Sequence, residues 1–190
     1  MEVLRSMIDH KKVLVIALNG PAVGGGAVWF ESVADTILAA DNVYLQVPFS
    51  ALGLVPEYGS ATNLARSISV HRANDFLMFG RKLTMQELEQ WGLICRIFPV
   101  SNFHAKVIEF LEDQLSINDA TSMMEAKRLQ NLPLRRERML VVYDAAEALA
   151  ERFVEDMPKQ RFTEKNKLLQ GESQTSLREK SFHVSDGSSY

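Results

Sequence analysis

Cysteine is almost missing from this chain. Cys95 stands alone among 190 residues, which excludes an internal disulfide and any disulfide-stapled scaffold. The four histidines, His10, His71, His104 and His183, show no metal-ligand spacing among themselves or with Cys95, so no metal site is expected. Long apolar runs are missing too: the longest, near Val13 to Leu18, is far below the ~20 residues a membrane-spanning helix requires. Neither sign of charge dominates. With 21 Lys+Arg against 24 Asp+Glu, the formal charge of −3 provides no basic field for nucleic acid or an anionic membrane surface. The first ten residues lack the charged start, apolar middle and small-residue cleavage site of a signal peptide. There is no Gly-x-Ser-x-Gly elbow, no Walker loop and no dinucleotide fingerprint.

What remains is the profile of a globular chain with mixed elements first and helices afterwards. Leu4, Met7 and Ile8 mark one face of a short N-terminal helix that leads into a buried strand over Val13 to Leu18. Asn19-Gly20-Pro21 ends that strand, and Gly24-Gly25-Gly26 opens a helical segment over Ala27 to Ala34. Thr36 to Ala40 and Val43 to Val47 read as two further strands around Asp41-Asn42. Residues Pro48 to Gly59 form an apolar loop that should pack rather than float. From Ser60 to Phe79 the pattern is helical, and Thr84-Met85-Gln86-Glu87 has the spacing of a capping box for a short helix ended by Gly92. Leu93 to Val100 is the last strand. It carries Cys95 among apolar neighbours, as a buried and inert thiol. Helices follow, with breaks at Asn131 to Pro133 and at Pro158.

Two features carry chemistry. A glycine turn at a helix start offers free backbone N–H groups and a positive dipole end, which stabilise an anion or a developing oxyanion; tight helix–strand packing is the other use of such a turn. Glu57 lies between Pro56 and Tyr58 in the apolar loop. Poor solvation there raises a carboxyl pKa towards the range of a general base, while a surface or salt-bridged role is the alternative.

The order of motifs resembles the crotonase (enoyl-CoA hydratase/isomerase) superfamily, and is most similar to its fungal peroxisomal Δ3,Δ2-enoyl-CoA isomerases. The resemblance rests on Asn19-Gly20-Pro21-Ala22-Val23-Gly24-Gly25-Gly26, Ala34-Asp35, Pro48-Phe49 and Gly53-Leu54-Val55-Pro56-Glu57-Tyr58-Gly59. It continues through Leu77-Met78-Phe79, Leu83-Thr84 and Gly92-Leu93-Ile94 to Phe98-Pro99. It implies an α/β fold with a ClpP/crotonase-type core of ββα units and a helical C-terminal region. It places the Gly25 N–H in an oxyanion hole for the thioester of an acyl-CoA and makes Glu57 the acid/base. Gly24, Gly26, Val28, Leu54 and Pro56 then line the substrate site. A hydratase of the family commonly has a second glutamate three residues after the oxyanion glycine. Val28 stands there, and Glu31 is the nearest substitute.

The resemblance also implies that acyl-CoA is the substrate and that no cofactor is needed. Lys165 and Lys167 are candidates for the CoA phosphates, a solvated basic helix face being the alternative. Residues 1–100 correspond to part of the α/β core, 101–170 to a helical trimerisation region, and 171–190 to a disordered tail. The second oxyanion donor of the family belongs upstream of the segment matching Met1, so the chain is similar to the later two-thirds of a larger domain. A homotrimer, or a hexamer with related subunits, follows by resemblance. So does a peroxisomal location, although Ser188-Ser189-Tyr190 is not a Ser-Lys-Leu-like signal and the cytoplasm is the alternative. Isomerisation of 3-enoyl-CoA is the activity implied, with hydration, or a purely oligomerising fragment, as its rivals.

Overall fold

The computed structural model describes residues 2–184, with side chains described up to residue 170. Helix α1 (Glu2–Ile8) buries Leu4 and Ile8, as the apolar spacing predicts, and leads to strand β1 (Val15–Leu18). Strand β2 (Ala22–Val23) enters the glycine turn, and strands β3 (Thr36–Ala40) and β4 (Tyr44–Gln46) follow. Helices α2 (Ser60–Ile68) and α3 (Val70–Phe79) precede strand β5 (Leu83–Thr84), helix α4 (Met85–Gln90) and strand β6 (Arg96–Phe98). The chain then runs into helices α5 (Phe103–Ile117), α6 (Ala120–Val154) and α7 (Met157–Val184). The expected disorder over 171–190 falls on residues whose side chains are not described, and 185–190 lie outside the described residues altogether.

Two three-stranded sheets carry the α/β part. One is parallel, in the order β1-β3-β6, with Val15 opposite Thr36 and Leu38 opposite Arg96. In the other, β4 lies between β2, to which it is parallel, and β5, to which it is antiparallel. The core packs between the sheets and helices α2 to α5. Leu38, Leu45, Val47, Leu64, Phe76, Leu83 and Leu88 are each at most 1% exposed. The capping box is formed: Thr84 Oγ1 accepts from the Glu87 N–H, and Glu87 Oε2 accepts from the Thr84 N–H at 2.9 Å.

Several sequence expectations need correction. Ala27 to Ala34 is not one helix but two short 3₁₀ turns, Gly24–Ala27 and Phe30–Ser32. Ala27, Val28, Phe30, Ser32 and Val33 are all buried, so no outer face is left for an amphipathic helix, and the β-branched and aromatic residues favour one weakly. Strand β1 is a half-exposed edge strand rather than a buried one. The helical run from Ser60 breaks at Ser69, which has φ 81. Cys95 precedes β6 and is exposed, because Leu93 and Ile94 take the inward positions. Helix α6 runs unbroken through Pro133. The carbonyl that this proline deprives of a partner belongs to Leu129, which is 61% exposed, so water can satisfy it. The later break falls at Glu155–Asp156, where Asp156 has φ 61, and Pro158 sits in the first turn of α7, where a proline is tolerated.

Helix α6 is held by buried Val142, which packs with Leu4, Ile8 and Val33, and by charge. Lys127, 5% exposed in its side chain, meets Asp35 Oδ2 at 2.7 Å and donates to the Lys12 carbonyl at 2.7 Å. The same Asp35 oxygen accepts from the Leu14 N–H, so one carboxylate ties the entry to β1 to α6.

Candidate active site

Strand β2 delivers the chain into the turn Gly24–Ala27. Gly25 is its second residue, so its N–H has no partner within the turn. The Val28 and Trp29 N–H groups both donate back to the Gly25 carbonyl, and buried Ala27, Val28 and Phe30 anchor the segment that follows. The loop from Pro48 to Gly59 arrives from the other side. It ends in two left-handed residues, Tyr58 (φ 59) and Gly59 (φ 74), before α2 begins. A side chain on Gly59 would strike Val141 of α6, whose Cγ2 lies 2.7 Å from the position a Cβ would take. That double constraint sets how Glu57 is presented.

Gly25 and Glu57 are brought together although 32 positions apart in the sequence. A Cβ on Gly25 would collide with Glu57 Oε2 and come within 3.0 Å of the Tyr58 ring and 3.5 Å of its hydroxyl. Only glycine leaves room there, which is a closer reason for this residue than flexibility. Among the described residues, no hydrogen-bond or ion-pair partner meets the half-buried Glu57 carboxylate. Loss of solvent therefore pushes its pKa up. The Tyr58 hydroxyl is pushed up as well, by burial first and by the Glu57 charge second.

The other candidate residues divide. Gly24, with φ 66, and exposed Gly26 flank Gly25 in the turn, and among the described residues no atom beyond their chain neighbours lies within 4 Å of where either Cβ would be. Leu54 and Pro56 are partly buried in the loop of Glu57, Leu54 packing on the core. Val28 is fully buried, so its side chain belongs to the core and presents no surface to a ligand. Glu31 turns towards α2, where Ser67 Oγ contacts its Oε1, while its buried Oε2 has no partner among the described residues. Burial raises the Glu31 pKa, with Ser67 and the Arg138 charge opposing. Lys165 and Lys167 are exposed on α7, and Lys165 borders a groove of about 250 Å³ beside Ala51. A larger cavity of about 460 Å³ lies elsewhere, between α1 and α6, and holds none of the candidate site residues. Chemistry rather than volume therefore selects the Gly25–Glu57 contact. Among the described residues no three His, Cys, Asp or Glu side chains cluster as metal ligands would.

Three residues of the site escape a reading of the sequence. The Tyr58 ring lies close to Gly25, its Cε2 3.0 Å from where a Cβ would be. Ser32 Oγ donates to the Tyr58 carbonyl at 3.0 Å, and Asn63 Nδ2 donates to Ser32 Oγ at 2.7 Å. The available signal was polarity at positions flanked by buried apolar residues: Ser32 between Phe30 and Val33, and Asn63 beside Leu64.

Comparisons with known proteins bear on the family and the fold. The family model described as enoyl-CoA hydratase/isomerase matches residues 1–171. The Δ(3,5)-Δ(2,4)-dienoyl-CoA isomerase of Pyricularia oryzae is 38% identical over 98 residues, covering 52% of this chain and 35% of that protein. The peroxisomal enoyl-CoA delta isomerase 3 of Mus musculus is 37% identical over 106 residues, covering 56% of this chain and 33% of that protein. The matched region is thus about a third of the length of these curated relatives. A crystal structure of an enoyl-CoA hydratase/isomerase from Pseudoalteromonas atlantica superimposes with TM-score 0.78 at 27% identity, over 85% of this chain and 66% of that one. With the family's motifs, its fold and an extended sequence match in agreement, this chain belongs to the enoyl-CoA hydratase/isomerase family, the crotonase superfamily.

Proposed function

We propose that the site isomerises a 3-enoyl-CoA to a trans-2-enoyl-CoA. The Glu57 carboxylate takes a proton from C2, the C3=C4 double bond shifts to C2=C3, and the protonated Glu57 returns the proton at C4. The negative charge of the intermediate dienolate resides mainly on the thioester oxygen. The Gly25 N–H, fixed in advance by the turn, donates to that oxygen, and such preorganised donors are each worth about 10²–10³ in rate. A carboxyl whose pKa is raised by desolvation is suited to both halves of the shuttle, since it is a stronger base than a solvated one and still an acid when protonated. Proton movement through one carboxylate requires neither a metal nor a redox cofactor.

One observation carries the choice of isomerase over hydratase. A single unpartnered carboxylate faces the glycine turn, and the residue three positions beyond Gly25, where a hydratase would need a second one, is fully buried Val28. Glu31 supports the same reading, because it is directed to Ser67 on α2. The relatives named as isomerases agree with it. The test uses this chain with 3-hexenoyl-CoA and with trans-2-hexenoyl-CoA. Conversion of the first should exceed hydration of the second by at least about tenfold. Preferred hydration, dependent on Glu31 as well as Glu57, would assign the hydratase activity instead, and turnover of neither would leave an oligomerising role.

The proposed setting is fatty-acid β-oxidation, in the peroxisome by analogy with the mouse relative. No described helix is long and apolar enough to cross a membrane. The proposed assembly is a trimer or hexamer through the C-terminal helices. Leu129, Leu132, Leu140 and Tyr143 of α6 are all at least half exposed in the single chain.

A further inference from the structure

We propose that Asn63 and Ser32 form a positioning relay that holds the Glu57 backbone so that its carboxyl stays against the Gly25 turn. The inference rests on the reading of Glu57 as the acid/base. Neither residue meets the reacting atoms; both act through the loop.

The backbone around Glu57 has to be held, because Tyr58 is a non-glycine residue at φ 59, a conformation that L side chains rarely adopt. Three successive carbonyls fix it. The Glu57 carbonyl accepts from the Ser60 N–H at 3.0 Å and the Gly59 carbonyl from the Asn63 N–H at 3.1 Å, both local bonds at the start of α2. The Tyr58 carbonyl is different: its donor is Ser32 Oγ, which comes from the segment that carries the glycine turn. Ser32 therefore couples the two halves of the site, the one bearing Gly25 and the one bearing Glu57.

Asn63 sets the direction of that bond. A serine hydroxyl has one proton and can send it to one acceptor at a time. The Asn63 amide donates into Ser32 Oγ, so the serine proton must point away from Asn63, and the Tyr58 carbonyl lies where it goes. Ser32 and Asn63 are 1% and 6% exposed, so no solvent competes for these groups. Mere packing between this segment and α2 could be done by apolar residues; a buried polar pair in series, ending on the strained residue beside Glu57, adds direction. The Glu57 charge also helps to raise the pKa of the Tyr58 hydroxyl, so the two groups sit close enough that a shift of this backbone moves both.

The test compares Ser32→Ala, Asn63→Ala and Asn63→Asp with the unmodified chain. Asn63→Asp keeps the size but offers an acceptor, which draws the serine proton away from Tyr58. In each variant kcat for 3-hexenoyl-CoA should fall about 10- to 100-fold, as expected for a displaced catalytic group, with KM changed less than about twofold. The acid limb of the kcat profile should move down towards the ordinary carboxylate range. The double variant Ser32→Ala/Asn63→Ala should lose no more than the worse single variant, because the two residues act in series. Leu64→Ala, a buried apolar change on the same helix, controls for stability: it should lower Tm and leave both kcat and the acid limb in place.

A ¹³C NMR titration of the Glu57 carboxyl gives a readout independent of turnover, and its midpoint should fall in the three variants. Unchanged Glu57 titration and unchanged kcat in Ser32→Ala and Asn63→Asp would overturn the relay. An inactive parent chain, or full activity in Glu57→Gln, would overturn the isomerase reading instead, with the NMR comparison still deciding the relay.

Discussion

At the scale of residues, the site is a contact between a glycine that cannot grow and a carboxylate that is not neutralised. Gly25→Ala places a methyl group into Glu57 Oε2 and the Tyr58 ring, so kcat/KM should fall about 10²-fold while circular dichroism stays unchanged. Gly26→Ala meets no atom within 4 Å and should leave kcat/KM within about twofold. The raised Glu57 pKa sets a second expectation. As the proposed base it would work only when ionised, so kcat should decline on acidification at a midpoint above the ordinary glutamate range. Glu31 has the same direction of shift and bears on stability. A carboxyl whose pKa is raised on folding binds its proton more tightly in the folded chain, so its contribution to stability is lost as pH rises above the ordinary glutamate pKa. Glu31→Gln should therefore have a higher Tm than the parent at neutral pH. That gain should vanish below the ordinary glutamate pKa, a pattern that calorimetry at several pH values would detect.

The sequence singled out Glu57 for its apolar surroundings but left a surface or salt-bridged role open, and only the family resemblance assigned it the acid/base role; the structure adds that its carboxylate is half-buried and lies against Gly25. Ser32 and Asn63 were not legible, since their partners lie 26 and 31 positions away and polarity beside apolar neighbours, the one local signal, does not say what they bond.

At the scale of elements, the positions of β1, β3, β4 and β6, the capping box and the order of helices follow from periodicity and turn chemistry, while the two-residue strands β2 and β5 and the glycine segment do not. Its residues are buried on nearly every side, so tertiary packing chooses 3₁₀ turns over the helix that the spacing suggests. The turn still leaves the Gly25 N–H without a partner in the segment, so the proposed chemistry survives the loss of the helix. Pro133 misleads in the opposite direction: a proline that breaks a buried helix is tolerated where the orphaned carbonyl faces water. One tie that fixes α6, beside buried Val142 and the Arg135–Asp9 pair, is the Lys127–Asp35 pair, a contact 92 positions apart that no local pattern reveals. Lys127→Met leaves the partly buried Asp35 without its cation and should cost up to about 3–5 kcal/mol in urea unfolding.

At the scale of the whole molecule, two small sheets and a helical layer bring residues from β2, the 48–59 loop and α2 to one place, and α6 presses on that place through Val141. The family and its fold could be reached from spaced motifs, because glycines, prolines and an acidic residue in a fixed order constrain the backbone strongly. The assembly could not. If the exposed apolar residues of α6 are covered by copies of this chain, sedimentation equilibrium should give three times the 21.4 kDa chain mass or a multiple of it, and Leu132→Glu with Leu140→Glu should return the monomer.

The central claim is that Glu57 moves the proton. The most direct measurement is the rate of 3-hexenoyl-CoA isomerisation by this chain and by Glu57→Gln, which keeps the shape of the side chain and removes its basicity. If Glu57 moves the proton, the parent turns over measurably and Glu57→Gln loses at least about 10³-fold, with acyl-CoA binding retained. Equal rates in the two proteins would contradict it.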